Sequence, residues 1–355
     1  MATDQQIRLS AAFKVSVDGA ALPDDAVADL VGASVHDDVE HPCAFSFTLN
    51  NWDAQKIDMK WSDDETFKVG KEIEISMGPV GQLTSLISGE ITGLELDVHV
   101  ARAPQLIVRG YDRAHRLARG RHTMSFTNVT DSDLATQIAG NNGLTPEVEK
   151  TSVIHSYVLQ HDQTDGDFLR ERARRIGFES FVRGKSLVFR PRKYDGDSKI
   201  VLSQETGLLE FYPYLSTMRQ AGKIELRSWD PKNKSTWVGS ASSGDEGAKM
   251  GGQTAGIAAA KQAFGDACIS SAVHPAGSQA EVDKQAKGRL QEMALGYITA
   301  QGGSMGRPDL RAGSLVKIEG MGKRFSGLYY LTSTTHTYSP LLGYRTTFQA
   351  RRNSV

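Results

Sequence analysis

The sequence predicts an α+β, mainly β protein: two similar β-barrel domains, an inserted α/β domain between them, and a helical insertion in the second barrel. Three observations predict it. Short alternating apolar and polar segments fill the first 111 residues and return after residue 301. Two capped amphipathic segments interrupt them between residues 112 and 195. A Gly followed by apolar residues three and five places on occurs twice, in "VGKEIEI" (69–75) and "AGSLVKI" (312–318).

In the first barrel (1–111), "AFKVSVDG" alternates and stops at an Asp-Gly pair, a strong hairpin signal. "CAFSFTLNNWD" places Phe45, Phe47 and Leu49 on one face, as a period of two requires. "VGKEIEISMG" turns Val69, Ile73 and Ile75 inward and Lys71, Glu72 and Glu74 mostly outward. "ISGEITGLELDVHV" and "PQLIVRGYDR" supply two further strands, and strands this short and close indicate a barrel or sandwich.

The pattern changes in the α/β unit (112–195). "NVTDSDLATQIAGNNGL" has an Asp or Ser cap near Asp131, apolar Leu134, Ile138 and Ala139 at helical spacing, and a Gly stop. "TDGDFLRERARRIGFE" repeats the design, with Phe168, Leu169, Ala173 and Ile176 as its buried stripe and four Arg around the flanks. "SYVLQH" and "SLVFRPR" read as strands. The second barrel takes residues 196–240 and 301–355, with a bend expected at Trp229-Asp230-Pro231 because proline lacks the donor of a central strand. Within it, residues 241–300 read as a mobile Gly/Ala-rich linker followed by a helix from about 279 to 299. The internal repeat extends to two Ser-Gly pairs, Ser88-Gly89 and Ser326-Gly327, each opening two strands that end near Arg109 or Arg351-Arg352.

Composition bounds the function classes. With 42 acidic and 41 basic residues in 355, no net field draws the chain to nucleic acid or to an anionic membrane. No apolar run approaches the roughly 20 residues of a membrane span, and the first residues lack a signal-peptide layout. Cys43 and Cys268 are too few for a disulfide framework or a structural zinc site; both are expected as small buried residues in a chain made in a reducing cytosol.

The chemical candidates are weak. "GGSMG" (302–306) fits the nucleophile-elbow pattern around Ser304, but a helix precedes it where a strand is required, so a Gly-rich linker is expected. "YDGDSK" and "TDSDLA" lack calcium-loop spacing and read as a turn and a helix cap. "GGQTAG" lacks the Lys-Ser/Thr of a phosphate loop. The Arg-dense "RAHRLARGRH" (113–122) reads as a solvated or interfacial surface. His336 sits in a strand with no acid nearer in sequence than Glu319, which makes it a wall residue. Catalytic, cofactor-binding and metal-binding residues are therefore expected to be none.

Several long segments resemble one family. "GRPDLRAGSLVKIEGMGKRFSGLYYLTSTTHTYSPLLGYRTTFQARRN" is similar to the last stretch of the hub domain in phage late control protein D and VgrG-type spike proteins. "GYDRAHRLARGRHTMSFTNVTDSDLATQIAGNNGL", "VLQHDQTDGDFLRERARRIGFE", "VHDDVEHPCAFSFTLNNWD" and "IELRSWDPKNK" resemble it in the same order. The resemblance runs from about residue 10 to the end, broken around 240–280. It implies a structural baseplate hub of a phage tail or contractile injection system, made in the bacterial cytoplasm and built into the particle. Such a hub is a homotrimer whose two barrels per chain form a pseudo-sixfold ring on the hexameric inner tube. It seats a threefold spike, here expected as a separate protein because the chain stops at Val355. Other baseplate components, and tape-measure protein or cargo in the channel, complete the implied partners. Two other classes stay open: a cell-wall or carbohydrate-binding module on the α/β unit, and a hydrolase using His336 or Ser304.

Overall fold

The computed structural model describes residues 11–355 except 197, 231 and 273–275. The proline of the expected bend, Pro231, lies outside the described residues.

The strands expected as two separate barrels are two halves of one 13-stranded sheet. In the first half the order is Ala11–Val17, Glu72–Pro79, Thr84–His99, Arg102–Asp112, Ala44–Asn50, Leu30–Asp38. In the second it is Val201–Leu202, Leu315–Ile318, Gly327–Ser339, Gly343–Arg352, Ile298–Met305, Leu208–Leu215. Position by position the two orders correspond, although Ala11–Val17 runs antiparallel to Glu72–Pro79 whereas Val201–Leu202 runs parallel to Leu315–Ile318. The Gly327–Ser339 strand joins them, because its second part pairs antiparallel with Leu30–Asp38, from Ser333 opposite Asp38 to Tyr338 opposite Ala33.

Two irregularities repeat with the order, whereas those at Ile75/Ser76 and Asp97/His99 occur in the first half alone. A bulge adds Thr92 between Ile91 and Gly93, and another adds Thr332 between Leu331 and Ser333. A second pair adds Val31 in Leu30–Asp38 and Leu209 in Leu208–Leu215. One extra residue displaces everything beyond it, so shared bulges fix the alignment of the halves. They set Gly89 against Tyr329. The two Ser-Gly pairs therefore enter equivalent strands two residues out of step, which corrects the match read from sequence. The glycines before Glu72 and Leu315 do correspond: Gly70 and Gly313 each precede their strand by two residues at positive φ (95° and 77°).

Local chemistry explains the elements. Asp18 and Gly19 both take positive φ (49° and 80°), the two-residue turn that joins Val17 to Ala20. Phe45, Phe47 and Leu49 are buried as alternation requires, and with Val35, Ile73, Ile75 and Val108 they form the first core. Each such side chain contributes about 1.5–3 kcal/mol by leaving water. The second core is the counterpart, around Leu331, Tyr329, Phe348 and Ile298.

The α/β unit carries the two expected helices, Asp131–Asn141 and Asp165–Arg175. Their caps are Thr130 and Thr164 rather than Asp131 or Ser132, since each threonine hydroxyl accepts the N–H three residues on.

Residues 241–300 depart from the linker reading. They hold the end of the Ser235–Ser242 strand, a helix at Gly256–Phe264, the Cys268–Ala272 strand and a longer helix at Gln279–Leu295. Small residues serve packing there. A Cβ at Gly256 would overlap the Tyr297 ring, and one at Gly239 would strike the Val282 backbone. Cys43 is buried as expected, but Cys268 is exposed, because its strand lies at the edge of a three-stranded sheet.

Candidate assembly surface: a polar wall with two open edges

Eight strands lie side by side across both halves, four from each, from Leu208–Leu215 at one end to Thr84–His99 at the other. Their inward side chains fill the two cores, and their outward side chains form one continuous face. A single row on that face crosses seven strands: Glu210, Gly303, Thr347, Thr335, His36, Ala44 and Tyr111. The next row runs through Tyr212, Gln301, Gln349, Ser333 and Asp38. Hydroxyl and amide groups dominate, so these rows present groups that water satisfies.

Where the halves meet, Thr335 Oγ1 and His36 Nδ1 are 2.9 Å apart, and a shallow cavity of about 250 Å³ opens over His36, Thr335, Gln301 and Gln349. A hydrogen bond to Asp38 raises the pKa of His36 above its ordinary value, more than partial burial lowers it.

Among the described residues the wall is unpaired at both ends. The Thr84–His99 strand pairs with Glu72–Pro79 only as far as Glu90; beyond the bulge, Gly93–His99 has a neighbour on one side only among those residues. On that open stretch the inward-facing Leu94, Leu96 and Val98 are 40%, 50% and 63% exposed. The other end, Leu208–Leu215, pairs only with Ile298–Met305 and exposes Leu209, Tyr212 and Tyr214.

His336 lies inside this construction. It is fully buried, with Nδ1 2.8 Å from the Tyr344 hydroxyl and Nε2 3.0 Å from the Leu310 carbonyl oxygen. Burial, helped by Arg311, lowers its pKa to about 4. It is therefore neutral at physiological pH, with Nε2–H donating to Leu310 and Nδ1 accepting from Tyr344. Ser304 is buried in a strand, and its hydroxyl donates to the Met305 carbonyl at 2.9 Å. Residues 302–305 are thus strand and not linker. Gly302 and Gly306 are required because a Cβ at either would overlap the ring of Phe348 or Tyr344. The two hydrolase candidates are both 1% exposed or less and flank Thr346, Ser304 bonding its carbonyl and His336 lying 3.2 Å from its hydroxyl.

The Arg-dense segment is matched by carboxylates: Arg113 with Glu72, Arg116 and His115 with Glu90, Arg121 with Asp162. No such pairing was legible in the sequence, where the acids lie 25 to 41 residues away. A further cluster also escaped sequence reasoning. Asp131 of the "TDSDLA" cap, His155, Arg172 and Glu281 form a buried ionic group. Arg172 Nε donates to Asp131 Oδ1 at 2.6 Å, and His155 lies 3.2 Å from Asp131 and 3.4 Å from Glu281. It ties the α/β unit to the Gln279–Leu295 helix. Among the described residues no group of three or more His, Cys, Asp or Glu is arranged to hold a metal ion, and no helix is long and apolar enough to cross a membrane.

The same fold occurs in tail proteins. A 43 kDa tail protein of prophage MuSo2 from Shewanella oneidensis superposes with a TM-score of 0.70 at 12% identity, covering 97% of this chain and 98% of that one. The tail protein from Neisseria meningitidis MC58 gives 0.67 at 15% identity, with 97% and 96% covered. The Escherichia coli c3393 protein, a component of the type VI secretion system similar in structure to the T4 tail proteins gp27 and gp5, gives 0.60 at 14% identity, with 96% and 77% covered. No curated protein matches the sequence. The sequence model described as the Alg8 N-terminal domain matches residues 8–339, and the chain belongs to that family.

Proposed function

We propose that this protein is the central hub of a phage-tail or contractile-injection baseplate, of the late control protein D and VgrG type. In this reading three copies form a ring that presents six equivalent four-strand units to a hexameric inner tube on one face and seats a threefold spike on the other. The observation that carries it is the duplicated wall. Two equivalent four-strand antiparallel units are already joined edge to edge within one chain, and the outer ends of the wall remain open among the described residues. A head-to-tail contact between such ends generates a ring when the rotation closes. Two units per chain then convert a threefold assembly into a pseudo-sixfold one. The polar outward face suits a channel through which tape-measure protein or cargo passes without sticking. Tail-protein likeness over nearly the whole chain supports the same role.

Light scattering tests the reading on the intact protein. A trimer of about 116 kDa, three times the 38.6 kDa chain, is expected at micromolar concentration. A monomer, with and without the spike protein, overturns it.

A further inference from the structure

The duplicated strand order makes the contact between copies readable residue by residue. Within the chain, the second part of Gly327–Ser339 lies along Leu30–Asp38, with Thr334 opposite Asp37, His336 opposite Val35 and Tyr338 opposite Ala33. The bulges at Thr92 and Thr332 make Leu94 and Leu96 the equivalents of Thr334 and His336, and Val98, at a further register shift between Asp97 and His99, takes the place of Tyr338 by its position along the strand. The bulges at Val31 and Leu209 make Phe211, Pro213 and Leu215 the equivalents of Ala33, Val35 and Asp37. The intrachain residues are covered and their equivalents are open. Thr334 and His336 are 1% and 0% exposed, against 40% for Leu94 and 50% for Leu96.

We infer that the Gly93–His99 edge of one copy pairs antiparallel with the Leu208–Leu215 edge of the next, with Leu94 opposite Leu215, Leu96 opposite Pro213 and Val98 opposite Phe211. The occupant of each open edge is thus a second copy of this chain. The register rests on the ring reading only for closure; the pairing itself follows from the intrachain joint.

The chemistry agrees with this register and with no shift by one. On the inward side it matches three aliphatic residues with Phe211, Pro213 and Leu215, each half-buried and missing a cover. On the outward side it sets Glu95, paired with Arg109, against Tyr214 and Asp97, paired with Arg102, against Tyr212, so that these polar side chains all stay on the polar face. A one-residue slip would turn Leu94, Leu96 and Val98 toward the polar face and the two acids into the core. Pro213 weighs against edge pairing in general, since proline is a common means of blunting an edge. Here it removes one N–H, while its carbonyl remains an acceptor, so the ladder loses at most one bond.

Disulfide trapping reads the register directly. Antiparallel partners bring Cα atoms to about 4.5–5.5 Å, within disulfide range. The full chain is prepared with the exposed Cys268 changed to Ser. Adding Glu95→Cys with Tyr214→Cys should give covalent dimers and trimers on oxidation, reversed by reductant. Adding Glu95→Cys with Pro213→Cys should give none, because those side chains leave opposite faces. Equal trapping at both pairs, or a trimer by light scattering that is not trapped at Glu95/Tyr214, overturns the register while leaving the ring reading standing. As a second measure, Leu96→Lys alters an exposed residue, so the circular dichroism should be unchanged while the mass falls to that of one chain. A Leu96→Lys protein that stays trimeric also overturns the inference. A wild-type monomer overturns the ring reading and the pairing together.

Discussion

The buried group that links the α/β unit to the Gln279–Leu295 helix makes a specific prediction about pH. His155 is 3% exposed and stands between the carboxylates of Asp131 and Glu281. Burial alone would lower its pKa, but hydrogen bonds to the two carboxylates outweigh it and push the pKa up to about 9. A folded-state value above the unfolded value of about 6.5 means that the charged imidazolium stabilises the fold fully below pH 6.5. That contribution is lost as pH rises from 6.5 through 9. Its ceiling is about 3 kcal/mol, at about 1.4 kcal/mol per tenfold change in proton affinity. Unfolding entropy near 2.1 cal/mol/K per residue gives a chain of this length about 0.7 kcal/mol per kelvin, so the ceiling corresponds to about 4 °C in melting temperature. The assay compares the melting temperature of the wild type with that of His155→Gln at fixed protein concentration from pH 6 to 9.5. The wild-type advantage should shrink by as much as about 4 °C across that window. The same two carboxylates are held below their ordinary range, despite their own burial, chiefly by hydrogen bonds to His155. A second, separate loss is therefore expected below pH 4. A gap between the two proteins that stays constant from pH 6 to 9.5 would refute a charged His155 at this joint.

Two further substitutions test the packing of the wall and its attachment to the α/β unit. Gly302→Ala places a methyl against the buried Phe348 ring and should destabilise by about 1–3 kcal/mol in urea unfolding, whereas Gly320→Ala, where nothing lies within 4 Å of the new carbon, should show no such steric cost beyond that of its positive φ. Tyr330→Phe removes the hydroxyl that donates to Glu179, leaving that buried carboxylate with Arg190 alone, at a cost of about 1–3 kcal/mol. Hydrogen exchange should then rise in the Phe178–Arg183 strand before it rises in the wall, and equal acceleration in both would count against a local joint.

Much of this architecture was legible because its signals are local. Alternation in "CAFSFTLN" placed Phe45, Phe47 and Leu49 inward, Asp18-Gly19 marked its hairpin, and the glycine stops at Gly143 and Gly177 closed both helices of the α/β unit. Errors arose where a residue's role depends on a distant partner. Glycine and serine in 241–265 and 302–306 suggested flexible chain, yet Gly256, Gly302 and Gly306 are small because aromatic rings occupy the space where a Cβ would stand. Composition cannot distinguish a glycine that frees the backbone from one that makes room. Nor could spacing pair Asp131 with Arg172, or reveal that the Gly327–Ser339 strand joins the two halves into one sheet, since both depend on tertiary closure across 41 residues or more. The open edges are a special case. "GLELDV" reads as an ordinary half-buried strand, and only the missing neighbour shows that its aliphatic face lacks a cover.

That contrast also explains why the two copies of the wall differ in chemistry at equivalent positions. The joint inside the chain is polar on its buried side: Thr334 and His336 are sealed, and His336 is satisfied by Tyr344 and Leu310. Such a network demands exact donor and acceptor placement, which a covalently continuous chain holds in register throughout folding. The corresponding positions on the open edge, Leu94, Leu96 and Val98, are aliphatic. Burying an uncapped hydrogen-bonding network on association would cost desolvation at every imperfect contact, whereas aliphatic side chains gain in proportion to area and tolerate small misalignments. A joint formed once, in folding, and a joint formed later, between separate molecules, thus call for different side chains on the same backbone. On this argument, replacing Leu96 by His, the residue at the equivalent intrachain position, should weaken association even though the same residue is well accommodated at 336, and a Leu96→His chain that assembles as the wild type does would show that the two edges are not used in different ways.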